Sequence, residues 1–150
     1  MGRLDRCGQA LPAVIVLDTS ALLALLDEDD PDHAACVTAL RSERPPFLVP
    51  AGILAEVGYM IERKVGLEVL CAFIDDLNAD AWSLDCGEGD LARIRELVHR
   101  YGNLSLGLAD ASVVACAERS GGRVLTLDRR DLATVAREGT INLVLDNPSA

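Results

Sequence analysis

Ala13-Val14-Ile15-Val16-Leu17-Asp18-Thr19-Ser20-Ala21-Leu22 decides the fold. Its apolar run does not alternate with polar residues, as expected of a strand covered on both faces of a parallel sheet. Asp18 closes the run, and helical periodicity follows from about Ser20 to Leu26. Near the other end of the chain, Arg123-Val124-Leu125-Thr126-Leu127-Asp128 repeats the pattern, a strand closed by an acid.

Between and around these two strands, helix and strand signals alternate. After the break at Asp29-Asp30-Pro31, Asp32 is placed to cap a helix over His33–Ser42. Pro45-Pro46 leads into a strand at Phe47–Val49, and Pro50 opens a helix that runs to about Val65 and stops at Gly66. Further helices are predicted at Leu67–Leu77, Gly87–Arg100, Leu106–Ser120 (capped by Ser105) and Asp131–Arg137. Further strands are predicted at Asp80–Leu84 and Ile141–Leu145. The class is α/β, a three-layer α/β/α domain with a central, mostly parallel sheet of about five strands. Residues 1–12 read as a flexible leader, 13–146 as the domain and 147–150 as a tail.

With 150 residues the chain can bury a core of its own. That core must be aliphatic, because half of the residues are hydrophobic and only 3% aromatic. The longest apolar segment, from Ala10 to Leu26, is interrupted by Pro12 and Asp18 and is too short to span a membrane. Arg3 and Arg6 imitate the start of a signal peptide, but the acid inside the apolar segment and Asp27-Glu28-Asp29-Asp30 after it argue against export. A cytoplasmic protein is expected. The five cysteines form no CxxC and have only two histidines to join them, which excludes a zinc-finger pattern. Cys36, Cys71 and Cys116 read as buried free thiols. The net charge of −10 opposes general nucleic-acid binding, so any nucleic-acid substrate needs a local basic rim or a bridging cation.

Four acids stand where an acid is awkward. Asp18 and Asp128 end strands, and the carboxyl ends of parallel strands share one edge, where sites form. Asp85 and Asp146 hold similar positions, and a strand-end Asp commonly starts a turn or caps a helix, so position alone does not select the pair. Glu56 falls between Ile53 and Met60 on the apolar stripe of its helix, where pairing with an Arg is the simplest alternative. Asp110 precedes Val113, Val114 and Ala117 on the packed side of another helix. Two like charges about 4 Å apart repel by roughly 4 kcal/mol at an effective dielectric near 20. Four together would raise their own pKa values or recruit a cation. Oxygen donors without Cys or His select a hard ion, Mg²⁺ or Mn²⁺, and with it phosphodiester chemistry.

Taken in order, Val16-Leu17-Asp18-Thr19-Ser20-Ala21-Leu22, Leu54-Ala55-Glu56-Val57, Leu104-Ser105-Leu106-Gly107-Leu108-Ala109-Asp110-Ala111 and Leu125-Thr126-Leu127-Asp128-Arg129-Arg130-Asp131-Leu132 resemble the motifs of PIN-domain ribonucleases. The resemblance is specifically to the VapC-type toxins of bacterial toxin–antitoxin pairs and covers about residues 13–146. It implies a parallel sheet of order 3-2-1-4-5 and a Mg²⁺-dependent endoribonuclease that leaves a 5′-phosphate and a 3′-hydroxyl. Asp18, Glu56, Asp110 and Asp128 carry over as catalytic, metal-binding acids, with Ser20, and less directly Thr19, as helper in the first motif. The Ser20 hydroxyl also suits a helix N-cap. The resemblance further implies a homodimer and a VapB-like antitoxin that covers the site, often with a basic side chain.

Leu132 replaces the aromatic that often follows the fourth motif, and Asp131 stands where such toxins often carry His, which leaves a role as an extra ligand open, with a helix cap the expected role. Arg129 and Arg130 are possible RNA contacts, whereas Arg63 and Lys64 read as solubilising charges. With so little basic surface, a shaped RNA such as a tRNA or an rRNA loop is the expected target. Two other classes remain open at this stage. One is a non-catalytic PIN module that binds RNA or protein. The other is an Asp-dependent phosphotransfer enzyme, although Asp18-Thr19-Ser20 lacks the second Asp of that chemistry.

Overall fold

The computed structural model describes residues 14–145. Five strands, β1 (Ile15–Leu17), β2 (Phe47–Pro50), β3 (Ser83–Asp85), β4 (Arg123–Leu125) and β5 (Asn142–Leu143), form one sheet in the order β3-β2-β1-β4-β5. All four pairings are parallel. β1 lies at the centre, with Ile15, Val16 and Leu17 buried, which is why its sequence does not alternate.

The described helices are α1 (Thr19–Leu26), α2 (His33–Arg41), α3 (Leu54–Lys64), α4 (Leu67–Asn78), α5 (Leu91–Arg100), α6 (Leu108–Ser120) and α7 (Arg129–Ala136). They form the outer layers of an α/β/α sandwich. α6 lies against β1, β2 and β4 and carries α5, while α1 packs on α2 and α3, and α3 on α4. The core is aliphatic, as the composition requires, and Phe73 and Tyr101 are its only aromatic members among the described residues.

Several boundaries differ from the sequence reading. β3 starts at Ser83 rather than Asp80, because Asp80 sits in a left-handed turn (φ 58°) that closes α4, with the Ala81 amide donating to the Asp76 carbonyl. β4 stops at Leu125 and β5 holds only two residues. The helix drawn from Pro50 begins as a 3-10 turn, Ala51–Ile53, and Gly87–Arg100 likewise has a 3-10 turn, Glu88–Asp90, before α5. α6 starts at Leu108 behind Gly107. Ser105 does not cap α6; it ends the preceding 3-10 turn, Gly102–Leu104, and is itself left-handed (φ 60°). Asp32 holds the N-cap position of α2, but its side chain makes no capping bond. Asp131 is also no cap, since α7 begins at Arg129 and Asp131 lies within its first turn.

Cys36 and Cys116 are buried, but Cys71 is exposed on the outer side of α4. Cys7, Asp146, the leader and the tail lie outside the described residues. Among those described, no helix is long and apolar enough to cross a membrane.

Candidate metal centre

The carboxyl edge of the sheet opens into a cleft of about 300 Å³, and Asp18, Glu56, Asp110 and Asp128 all line it. Four segments far apart in sequence deliver them. Asp18 continues the β1–β4 ladder by one step, its amide donating to the Leu125 carbonyl at 3.1 Å. Asp128 follows β4 after Thr126 and Leu127. Both residues occupy N-cap positions, of α1 and α7, yet neither side chain makes a capping bond, so capping claims neither carboxylate. Glu56 and Asp110 stand in the first turns of α3 and α6, where the helix dipole favours negative charge.

The core hides only one of the four. Asp18 is 3% exposed, Asp110 and Asp128 are half-buried, and Glu56 is exposed. The core stripe of α3 is Ile53, Val57 and Ile61, all fully buried, so Glu56 belongs to the adjoining stripe, which faces the cleft. No Arg pairs with it among the described residues.

A hydrogen-bonded frame holds the buried acid. Ser20 Oγ donates to Asp18 Oδ2 at 3.0 Å and Thr126 Oγ1 donates to the same oxygen at 2.7 Å. The two hydroxyls lie 3.2 Å apart. Ser20 Oγ accepts the Leu127 amide at 2.9 Å, and Thr126 Oγ1 accepts the Asp128 amide at 3.0 Å. Ser20 therefore ties α1 to the β4–α7 turn from inside the helix and is not its N-cap. Thr19 lines the cleft too, with a buried hydroxyl that has no partner among the described residues.

The electrostatics are those of crowded like charges. Burial first, and then Asp18, Asp128, Glu56 and Asp131, push the Asp110 carboxyl up to about 6. Burial and Asp18 raise Glu56 as well. As they stand, no three acidic, histidine or cysteine side chains among the described residues form a closed ligand shell; the acids line the walls of one cleft. An all-carboxylate donor set under mutual repulsion fits a hard divalent cation and no soft one.

Three further residues of the site, Thr126, Asp27 and Asp30, were not picked out from the sequence, and Lys64, read there as a solubilising charge, proves to line the cleft. Thr126 was visible as a hydroxyl inside an otherwise apolar strand. Asp27 and Asp30 also line the cleft, and nothing local distinguishes them or Lys64 from solvated charges. Arg129 and Arg130 are exposed at the start of α7 and do not line the cleft; Arg129 Nη2 donates to the Leu145 carbonyl at 3.3 Å. Asp85 is structural, since it and Asp90 share Arg119.

The PIN domain family profile matches residues 15–138. Ribonuclease VapC26 of Mycobacterium tuberculosis (strain ATCC 25618 / H37Rv) is 35% identical over 123 residues, 81% of this chain and 91% of that protein. The crystal structure of Mycobacterium tuberculosis VapC20, described as a Sarcin-Ricin loop cleaving toxin, matches with a TM-score of 0.71 at 20% identity, over 80% of this chain and 94% of the other. That last likeness is one of fold.

Proposed function

This chain belongs to the PIN-domain family, among the VapC-type ribonucleases, and on that premise we propose that it is a Mg²⁺-dependent endoribonuclease toxin whose ion is held by Asp18, Glu56, Asp110 and Asp128. One observation carries the reading: four acids from four distant segments line a single cleft at the carboxyl edge of the sheet. Mn²⁺ suits the same donors.

When bound, the ion lowers the pKa of a water molecule and offsets charge on the phosphoryl oxygens. The chain's own part is to fix the donors. Ser20 and Thr126 hold Asp18 by one oxygen, leaving the other without a donor among the described residues. The first turns of α3 and α6 carry Glu56 and Asp110 to the same cleft. Attack by water forms a new P–O bond and breaks the bond to the 3′-oxygen, giving a 5′-phosphate and a 3′-hydroxyl.

The net charge of −10 favours a shaped target, a tRNA or an rRNA loop, over bulk RNA. The same acidity suits a VapB-like antitoxin that places a basic side chain in the cleft. Tyr59, Leu67 and Ile74, large and exposed on or beside α3 and α4, supply apolar surface of the kind that a homodimer covers.

The test is incubation of the purified protein with total cellular RNA in Mg²⁺ or Mn²⁺, followed by 5′-end mapping, beside Asp18→Asn and an EDTA control. Discrete cuts confined to wild type with metal are expected. Cuts that persist in Asp18→Asn or in EDTA would refute the assignment.

A further inference from the structure

Two helix stripes line the cleft. Thr19, Leu23 and Asp27 recur every four residues along α1 and its C-cap, and Glu56, Met60 and Lys64 do so on α3; all six line it. α1 packs directly on α3, so these stripes form facing walls of a groove that leaves the acid cluster. Eight residues of helix separate Glu56 from Lys64, about 12 Å at 1.5 Å per residue.

Lys64 is the one cationic side chain lining this groove among the described residues. Despite the acids around it, no carboxylate there lies within 4.0 Å of its ammonium. Helical side chains lean toward the N-terminus of their own helix, so Lys64 reaches back along the groove toward Glu56. Its neighbour Arg63 sits over the Tyr59 ring, 5.6 Å from the centroid, and does not line the groove. A stabilising charge at the end of α3 is therefore supplied without Lys64.

Resting on the nuclease reading above, we propose that Lys64 is a positioning residue that holds a phosphate flanking the one cleaved, so that the RNA strand leaves the acid cluster along the α3 wall of the groove. The opposite wall carries Asp27 and, beyond it, Asp30, which repel the backbone and fix that side preference.

The experiment measures binding of a fluorescein-labelled, mixed-sequence single-stranded oligoribonucleotide over a range of KCl, with Ca²⁺ as the cation, for wild type, Lys64→Ala, Lys64→Arg and Arg63→Ala. Cleavage kinetics in Mg²⁺ and thermal midpoints accompany it. Lys64→Ala should weaken binding several-fold and flatten the slope of log K against log salt by about 0.7, one phosphate contact on a single strand. Lys64→Arg should restore both, and Arg63→Ala should match wild type. In cleavage, Lys64→Ala should raise KM and leave kcat within about twofold, since a flanking phosphate is held equally in ground and transition states.

Wild-type affinity and slope in Lys64→Ala, or a lowered thermal midpoint as its only effect, would overturn the proposal. So would a wild type that does not bind the oligonucleotide. A wild type that binds but cuts no RNA would sink the nuclease reading alone, and Lys64 would still be judged from the binding series.

Discussion

Thr126 donates a 2.7 Å hydrogen bond to Asp18 from 108 residues away in sequence, and the same hydroxyl accepts the amide of Asp128. One side-chain oxygen thus fixes both strand-end acids of the cleft. The parallel register Leu17↔Leu125 makes this possible, because it sets the residues just beyond β1 and β4 side by side.

Thr126→Val keeps the shape and removes the hydroxyl. Thr126 is 1% exposed, so the Asp128 amide and one lone pair of Asp18 would be left without partners away from water. Such losses cost about 1–3 kcal/mol. Outer-shell partners of metal ligands typically cost about 10- to 100-fold in affinity or activity. Urea unfolding and cleavage rate should both fall in Thr126→Val and largely recover in Thr126→Ser. An unchanged cleavage rate in the valine variant would remove Thr126 from the site.

Asp110 makes stability depend on pH in a defined direction. Its carboxyl is pushed from 3.8 to about 6, so the folded state binds this proton more tightly than the unfolded chain does. Stability of the metal-free protein is lost from this source as pH rises through that window, and the loss is complete above it. Two pH units correspond to a ceiling of about 3 kcal/mol, reduced to about 1 kcal/mol because the carboxyl is half open to solvent. In EDTA, Asp110→Asn should therefore be more stable than wild type by about 1 kcal/mol at pH 7.5 and equal to it at pH 4. Comparing the two proteins at each pH cancels the ion pairs Glu43–Arg123 and Glu118–Arg93, which weaken in acid for their own reasons. A difference that grows toward low pH would contradict this.

The same repulsion should reward a cation. At a hundredfold excess over its dissociation constant, Mn²⁺ would stabilise the fold by about 2.7 kcal/mol. For a domain of this size that is roughly 5–10 °C in Tm. Asp18→Asn should lose most of the shift, and its cleavage rate should fall by more than about 100-fold, beyond the range typical of outer-shell changes. Calorimetry with and without Mn²⁺ reads the first effect, and equal shifts in both proteins would exclude Asp18 as a ligand.

The centre of the sheet was legible because β1 and β4 come from continuous apolar runs, as burial on both faces requires, whereas the edge strands β3 and β5 are short and partly polar and were placed only approximately. The four acids stood out because Asp18 and Asp128 close strand runs and Glu56 and Asp110 sit among the apolar residues of helices. Physical reasons account for what was missed. Glu56 looks core-facing by its spacing, but a cleft cuts into the domain beside α3, and periodicity cannot tell a core from a cleft wall. Ser20, Ser105 and Asp131 were given caps they do not make, because helix starts are set by tertiary contacts such as the Thr126 frame rather than by local composition. Lys64 and Asp27 acquire meaning only once α1 and α3 face each other, and that depends on packing between segments about forty residues apart.

Packing also makes Gly52 a sensitive position. A Cβ there would overlap the Ser112 hydroxyl and Cβ, and Ser112 is tied to its own helix by a 2.8 Å bond to the Leu108 carbonyl. The 3-10 turn Ala51–Ile53 rests on α6 at this point. Gly52 lies four residues before Glu56, and Ser112 two residues after Asp110, so the contact sets the spacing of two cleft acids. Gly52→Ala must push the turn away from α6, an overpacking that costs about 1–3 kcal/mol. The displacement should separate Glu56 from Asp110 and weaken Mn²⁺ binding. The pairing with Ser112→Ala distinguishes this from simple loss of stability. Removing the Ser112 hydroxyl takes away the nearest clash, so the double variant should regain part of both stability and Mn²⁺ affinity. Additive losses in the double variant would show that the contact does not set the distance between the two acids.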